Sequence, residues 1–253
     1  MAIKFTCFSH CGTGKSPNED AVLLDGHVHQ GHVLEHGEVD ASQPRYFAVA
    51  DGVSSGTLPR TASRRLLELL QIRLATAPDT ASLSALLHQV QQDYAALSAN
   101  AEQGGMSSTL VGARLIGNTA TIFNIGDSRA YLLTGGQAHL LSRDHSLLND
   151  MLVAGEITPE QAKNAASILK GLTCQFIVDA EFDEFNVNIV THELQPGERL
   201  LLCSDGLNEV LSDAGIAALF VGNSDVDLLS ACKASRRAGG ADDFSVIVLV
   251  NAT

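Results

Sequence analysis

Residues 46–56 read YFAVADGVSSG, and this stretch decides how the rest of the chain is arranged. Tyr46, Phe47, Ala48, Val49 and Ala50 form an apolar or small run that reads as a buried strand, and it ends in Asp51-Gly52. A carboxylate at the end of a buried strand is costly unless something compensates it. A cation is the usual compensation, and a neighbouring glycine lets the backbone come close enough for its carbonyl to ligate as well. The pattern recurs along the chain. LLLCSDG (200–206) is another apolar run ending in Asp-Gly, and FNIGDSRAYL (123–132) carries Gly126-Asp127 at the end of one. Asp242-Asp243 precede FSVIVLV, and Glu19-Asp20 precede AVLL. One Asp-Gly pair alone reads as a turn. Five junctions between an apolar strand and an acid point instead to an oxygen-ligand metal centre.

Composition bounds the rest. The chain has 253 residues, 45% of them hydrophobic, enough for one large α/β-type core. Lys and Arg total 16 against 29 acids, a formal net charge of −13, which argues against nucleic acid or an anionic membrane as the main partner. No apolar run approaches the ~20 residues of a membrane span. MAIKFTCFSH at the start does not read as a cleavable leader. Five cysteines without a C-x-x-C pair read as reduced thiols of a cytoplasmic protein.

Strands are expected at 4–8, 21–24, 46–50, 186–191, 199–204 and 244–250, and an antiparallel meander from Ser107 to about residue 142, with turns at Gly117-Asn118 and Gly135-Gly136. Apolar residues at helical spacing predict helices over 59–75 and 82–99, the second capped by Ser82. Shorter helical stretches are expected within 147–170 and at 213–220 and 225–235. Residues 27–44 are polar and carry His27, His29, His32 and His36; a solvated loop is the expectation, with a transition-metal tract as the alternative. SHCGTGKS (9–16) imitates a phosphate-binding P-loop, but Ser9 stands in place of the first glycine and no helix is expected after Ser16. His145 has the chemistry of a general acid, although a residue that fixes its turn is the simpler reading.

In order, NEDA (18–21), ADG (50–52), GMSST (105–109), GDSRAYL (126–132), SRDHSL (142–147), CSDGL (203–207) and DDFSVIVL (242–249) resemble the metal-dependent protein phosphatases of the protein phosphatase 2C family, bacterial type. The resemblance covers about residues 14–250. It implies an α+β fold: a four-layer α-β-β-α sandwich of two mainly antiparallel sheets flanked by helices, with the metal centre at one edge. It implies one catalytic domain over 1–253 with a flap over about 147–185. The activity it implies is hydrolysis of phosphoserine and phosphothreonine esters in proteins by direct attack of a metal-bridging water. Two Mg²⁺ or Mn²⁺ ions would be the cofactors, with a third, weaker ion. Asp51 would bridge the pair, Gly52 would lend its carbonyl to one ion, and Asp205 and Asp242 would complete the other. Glu19 would act through water, Asp127 with Asp205 would hold the third ion, and Asp20 and Asp243 would stand behind the ligands. Lys15, four residues before Glu19, falls where the family places a phosphate-binding Arg.

The chain departs from the family pattern at several points. Lys15 replaces that Arg, Val53 replaces a His proposed as general acid in eukaryotic members, and Asp243 replaces a common Asn. After the flap the chain reads ILKGLTCQFIVDAEFDEF (168–185) instead of the family's Thr-Arg-Ala-Leu-Gly-like segment. Phosphorylated proteins, opposed by a Ser/Thr kinase, are the implied partners, and a monomer is expected. The alternative is a catalytically weak regulatory or phosphopeptide-binding relative of the same fold.

Overall fold

Strands buried on both faces set the architecture of the computed structural model, which describes residues 2–13, 15–76, 82–162, 165–182, 185–219 and 241–251. The first sheet contains β1 (Ala2–His10), β4 (Val33–Asp40), β9 (Arg129–Thr134), β10 (Gln137–Leu140), β13 (Arg199–Cys203) and β14 (Phe244–Asn251). Their spatial order is β10-β9-β13-β14-β1-β4. The second contains β2 (Asp20–Leu24), β3 (His27–Gln30), β5 (Arg45–Asp51), β7 (Leu110–Ile116), β8 (Thr119–Ile125) and β12 (Asn188–Glu193), in the order β12-β8-β7-β5-β2-β3. The pairings within both sheets are antiparallel.

Side-chain alternation makes each central strand serve two cores. In β5, Phe47 and Val49 meet Cys7, Leu200 and Ile247 between the sheets, whereas Ala48 and Ala50 meet Ala62, Leu66 and Leu70 on the helical side. In β13 and β14, Leu200, Leu202, Ile247 and Leu249 turn inward, and Leu201, Cys203, Val246 and Val248 turn outward toward Ile216. Two helices cover the second sheet, α1 (Pro59–Thr76) and α2 (Leu83–Ala95). Tyr94 of α2 is buried and donates its hydroxyl proton to the Ala62 carbonyl at 3.0 Å. Ser82 caps α2 by accepting from the Ala85 N–H. The short helices α5 (Asp205–Asn208) and α6 (Asp213–Leu219) cover the first sheet. The result is the expected four layers.

Several local expectations change. Residues 27–44 are not a loop: they form β3 and β4, one edge strand of each sheet. An edge strand is paired on one side only and carries charge to discourage further pairing, so its sequence is polar. The histidines are dispersed as a consequence: His29 pairs with Val22, His36 with Thr6, and the His32 ring lies against Phe8 and His10. The meander does not stay in one sheet. The chain leaves the second sheet after Ile125 and enters the first at Arg129, turning at Gly126 with φ 97°. The strand expected over 186–191 lies at Asn188–Glu193. After Ser16 the chain runs into β2, so no phosphate-binding helix follows Lys15. The helix expected over 225–235 falls outside the described residues.

The segment 147–177 contains α3 (Leu147–Val153), α4 (Pro159–Ala162) and a 3₁₀ turn, Ser167–Lys170. Its far end is fastened by β11 (Phe176–Ile177) pairing with β6 (Ser107–Ser108) and by Gln91, which bonds both backbone groups of Ile177. Among the described residues no helix is long and apolar enough to cross a membrane.

Candidate metal centre

The acidic junctions converge at one end of the sandwich. Asp20 at the start of β2 and Asp51 at the end of β5 are direct cross-strand partners. Like charges in that relation repel. Asp127 lies in the turn between β8 and β9, Asp205 opens α5 immediately after β13, and Asp242 stands two residues before β14. Asp51, Asp127, Asp205 and Asp242 line one cleft of about 660 Å³, with Ser107 and Lys170 on its walls.

Backbone approach is tight here, which explains two of the glycines. A Cβ on Gly52 would overlap the Pro59 carbonyl, and one on Gly206 would overlap the Asp243 carbonyl oxygen. The Asp51 carbonyl accepts from the Thr109 N–H and the Ser108 hydroxyl, each at 2.9 Å, so GMSST braces the end of β5.

Electrostatics bears on what the cluster can hold. Burial, then repulsion from Asp20, Asp205, Asp127 and Asp242, pushes the Asp51 carboxyl well above its ordinary range. Burial, followed by Asp127, Asp242 and Glu209, does the same to Asp205. Asp20, fully buried, is pushed up to about 7 by burial and by Asp243, against hydrogen bonds from Ser245 and Ser204. Asp127 is pushed up to about 6 by burial and then by Asp144. Among the described residues, Asp20 Oδ1 and Asp205 Oδ1 are buried oxygens without a hydrogen-bond partner. Converging carboxylates with orphaned oxygens fit hard divalent cations, which take oxygen ligands and neutralise the repulsion.

The flanking residues are arranged as follows. Asp243 is buried and accepts from the Gly12 N–H at 2.8 Å and the Glu19 N–H at 2.7 Å, so it orders the loop that presents Glu19. Lys15 Nζ donates to Asp242, to Glu19 at 3.3 Å and to Ser54 Oγ at 3.2 Å. Burial works against its charge, but Asp242, Asp243 and Glu19 outweigh burial and raise its pKa. His145 Nδ1 accepts from the Gly126 N–H at 3.0 Å, and the His145 backbone N–H donates to the Gly126 carbonyl at 3.0 Å. Its ring therefore fixes the turn that carries Asp127.

Three contributors escaped the sequence reading. Glu209 follows Asp205 by four residues, and ligand atoms of Asp205, Glu209 and Asp242 lie within 4.8 Å of one another; the spacing in DGLNE was the available signal. Ser204, read as a strand residue, donates to Asp20 Oδ2 at 2.8 Å. Arg129 grips Asp144 through Nε at 2.9 Å and Nη2 at 2.6 Å, joining GDSRAYL to SRDHSL. No local signal pairs two residues fifteen positions apart.

Known proteins share this plan. Protein phosphatase PhpP of Streptococcus pneumoniae is 35% identical over 167 residues, 64% of this chain and 63% of its own length. Serine/threonine protein phosphatase PstP of Mycobacterium tuberculosis is 29% identical over 256 residues, 98% of this chain and 45% of its own length. The chain thus spans less than two thirds of either relative. Serine/threonine phosphatase stp of Listeria monocytogenes is 31% identical over 202 residues, 73% of this chain and 77% of its own. The crystal structure of M. tuberculosis PstP superposes with a TM-score of 0.78 at 25% identity, covering 99% of both chains. A second PstP structure, the catalytic domain in complex with two manganese ions, gives 0.75 at 25% identity, covering 99% of this chain and 100% of its own. The family model described as protein phosphatase 2C matches residues 13–228. That match spans well over half of the sequence, and the chain belongs to the protein phosphatase 2C family.

Proposed function

We propose that this chain is a metal-dependent phosphatase that removes phosphate from phosphoserine and phosphothreonine of proteins. The observation that carries the reading is the convergence of Asp51, Asp127, Asp205 and Asp242 on one open cleft. The relatives named as Ser/Thr phosphatases support it. Asp51, the Gly52 carbonyl, Asp205 and Asp242 would hold two Mg²⁺ or Mn²⁺ ions, with Glu19 acting through water and Asp127 with Asp205 on a third, weaker ion. When bound, such ions neutralise phosphoryl charge and supply a water nucleophile at neutral pH.

The chain's own residues do the positioning. Asp20, held by Ser204, and Asp243, holding Gly12 and Glu19, keep the ligand-bearing loops in register. Ser107, Lys170, Leu172 and Gln175 line the cleft and receive the phosphorylated segment. Lys15 is the cation we assign to the substrate phosphate. We read residues 1–253 as one catalytic domain whose flap covers about 147–185, acting as a monomer in the cytoplasm against a Ser/Thr kinase.

The test is phosphate release from p-nitrophenyl phosphate and from a phosphothreonine peptide, with Mn²⁺ or with chelator. Turnover is expected with Mn²⁺ only. Chelator-insensitive turnover would overturn the metal reading. Peptide binding without turnover would select the regulatory relative instead.

A further inference from the structure

The Lys15 ammonium has a complete set of partners inside the acidic cluster. It offers three N–H donors. Three acceptors meet them: Asp242 Oδ1, Glu19 Oε2 at 3.3 Å and Ser54 Oγ at 3.2 Å. The Ser54 hydroxyl proton is directed at Glu19 Oε2, 2.6 Å away, which leaves its lone pair for Lys15. Asp243 Oδ2 stands behind at 4.0 Å. The Lys15 backbone is held as well: its carbonyl accepts from Cys11 Sγ at 2.9 Å and its N–H donates to the Gly12 carbonyl at 3.3 Å.

An ammonium on Asp242 and a divalent ion held by the same carboxylate compete for its lone pairs and repel one another. We infer that Lys15 is a tethered cation that occupies Asp242 and competes with the divalent ion that Asp205 and Asp242 would hold, so that metal loading there and release of the Lys15 side chain are one event. The inference rests on the two-metal reading proposed above. Asp51 and the Gly52 carbonyl are not among the Lys15 contacts just described, so the ion they would hold binds without displacing the ammonium, whereas the ion completed by Asp205 and Asp242 binds only by displacing it. The displaced ammonium is then free to meet a substrate phosphate, which gives Lys15 its two roles in sequence.

The test is calorimetric titration of metal-free protein with Mn²⁺, for the unaltered chain, Lys15→Met, Lys15→Gln and Lys15→Arg, with thermal melting beside it. Met and Gln remove the competing charge. They should tighten the weaker Mn²⁺ step by about tenfold or more, the scale of a lost charged hydrogen-bond partner. Both should lower the melting temperature of the ion-free protein, and saturating Mn²⁺ should erase the difference. Arg keeps the charge and should leave the weak step weak. Equal or weaker Mn²⁺ constants in both Met and Gln variants, with binding intact in the unaltered chain, would overturn the competition alone. Absence of Mn²⁺ binding in every protein would overturn the two-metal reading and this inference with it.

Discussion

At the residue scale, the site divides into groups that set charge and groups that set position. Asp205, which we propose as a metal ligand, carries a buried oxygen without a hydrogen-bond partner, so Asp205→Asn is expected to abolish nearly all turnover. Lys15 sits at the edge of the cluster and, in the proposed reaction, meets the phosphate. Removing a charged hydrogen-bond partner costs about 1.5–3 kcal/mol. Lys15→Ala should therefore lose about 10- to 150-fold in kcat/KM, chiefly through KM. Steady-state kinetics on one phosphopeptide checks both variants. An unchanged kcat/KM in Lys15→Ala would assign the phosphate to another cation, with Lys170, which lines the cleft, the first to examine. Gly52→Ala is a prediction of a different kind. The added methyl must displace the Pro59 carbonyl, and overpacking of this sort costs about 1–3 kcal/mol. Chemical denaturation should show that loss in chelator, away from any effect on metal binding.

At the scale of elements, the strand ends carry the acidic cluster and the helices hold the sheets. Tyr94→Phe removes the buried hydrogen bond between α2 and α1 without changing the ring packing. A loss of about 0.5–1.5 kcal/mol is expected, with Mn²⁺ affinity unaltered. The Arg129–Asp144 clamp is closer to the chemistry. It ties the start of β9 to the loop whose His145 holds Gly126, and so it positions Asp127 at second hand. Asp144→Ala leaves a partly buried guanidinium without its carboxylate. About 1–3 kcal/mol of stability should be lost, and only the weakest Mn²⁺ step should weaken. If the strongest step were lost as well, Asp127 would be serving the main pair rather than a third ion.

At the scale of the whole molecule, ion-free stability should depend on pH in a direction set by the cluster. Asp20 is raised to about 7 and Asp127 to about 6 from an ordinary 3.8. A raised carboxylate contributes most below its unfolded value and loses that contribution as pH rises through the folded one. Between about pH 4 and 7 the native state holds more protons than the unfolded chain, so ion-free protein should melt higher at pH 5.5 than at pH 8. His145 opposes this: burial and then Arg143 lower its pKa, so its contribution is present above the ordinary histidine value and lost on acidification. Asp51 and Asp205 are raised as well, so four carboxylates outweigh one imidazole. Mn²⁺ binds only the folded site and should add about 2.7 kcal/mol at a hundredfold excess over Kd, removing the pH trend. Melting curves at both pH values, with chelator and with Mn²⁺, measure this. Curves that ignore both pH and Mn²⁺ would leave the four-carboxylate centre without support.

The sequence by itself determined the central strands, the two long helices and the order of the acidic junctions. Strands such as β5, β13 and β14 are buried on both faces, so they are written as unbroken apolar runs, and an acid at the end of such a run stands out. The helices are legible because α1 and α2 each bury one stripe. The edge strands β3 and β4 were read as a loop and β12 was placed two residues early, because pairing on one side lets polar residues fill such strands. The tertiary structure alone decided that the chain changes sheets at Gly126, that Arg129 meets Asp144, that Glu209 joins Asp205 and Asp242, and that Lys15 lies on Asp242. Those are contacts between distant or differently oriented residues, and a repulsive cluster of carboxylates acquires its partners only when the sheets that carry them have closed on one another.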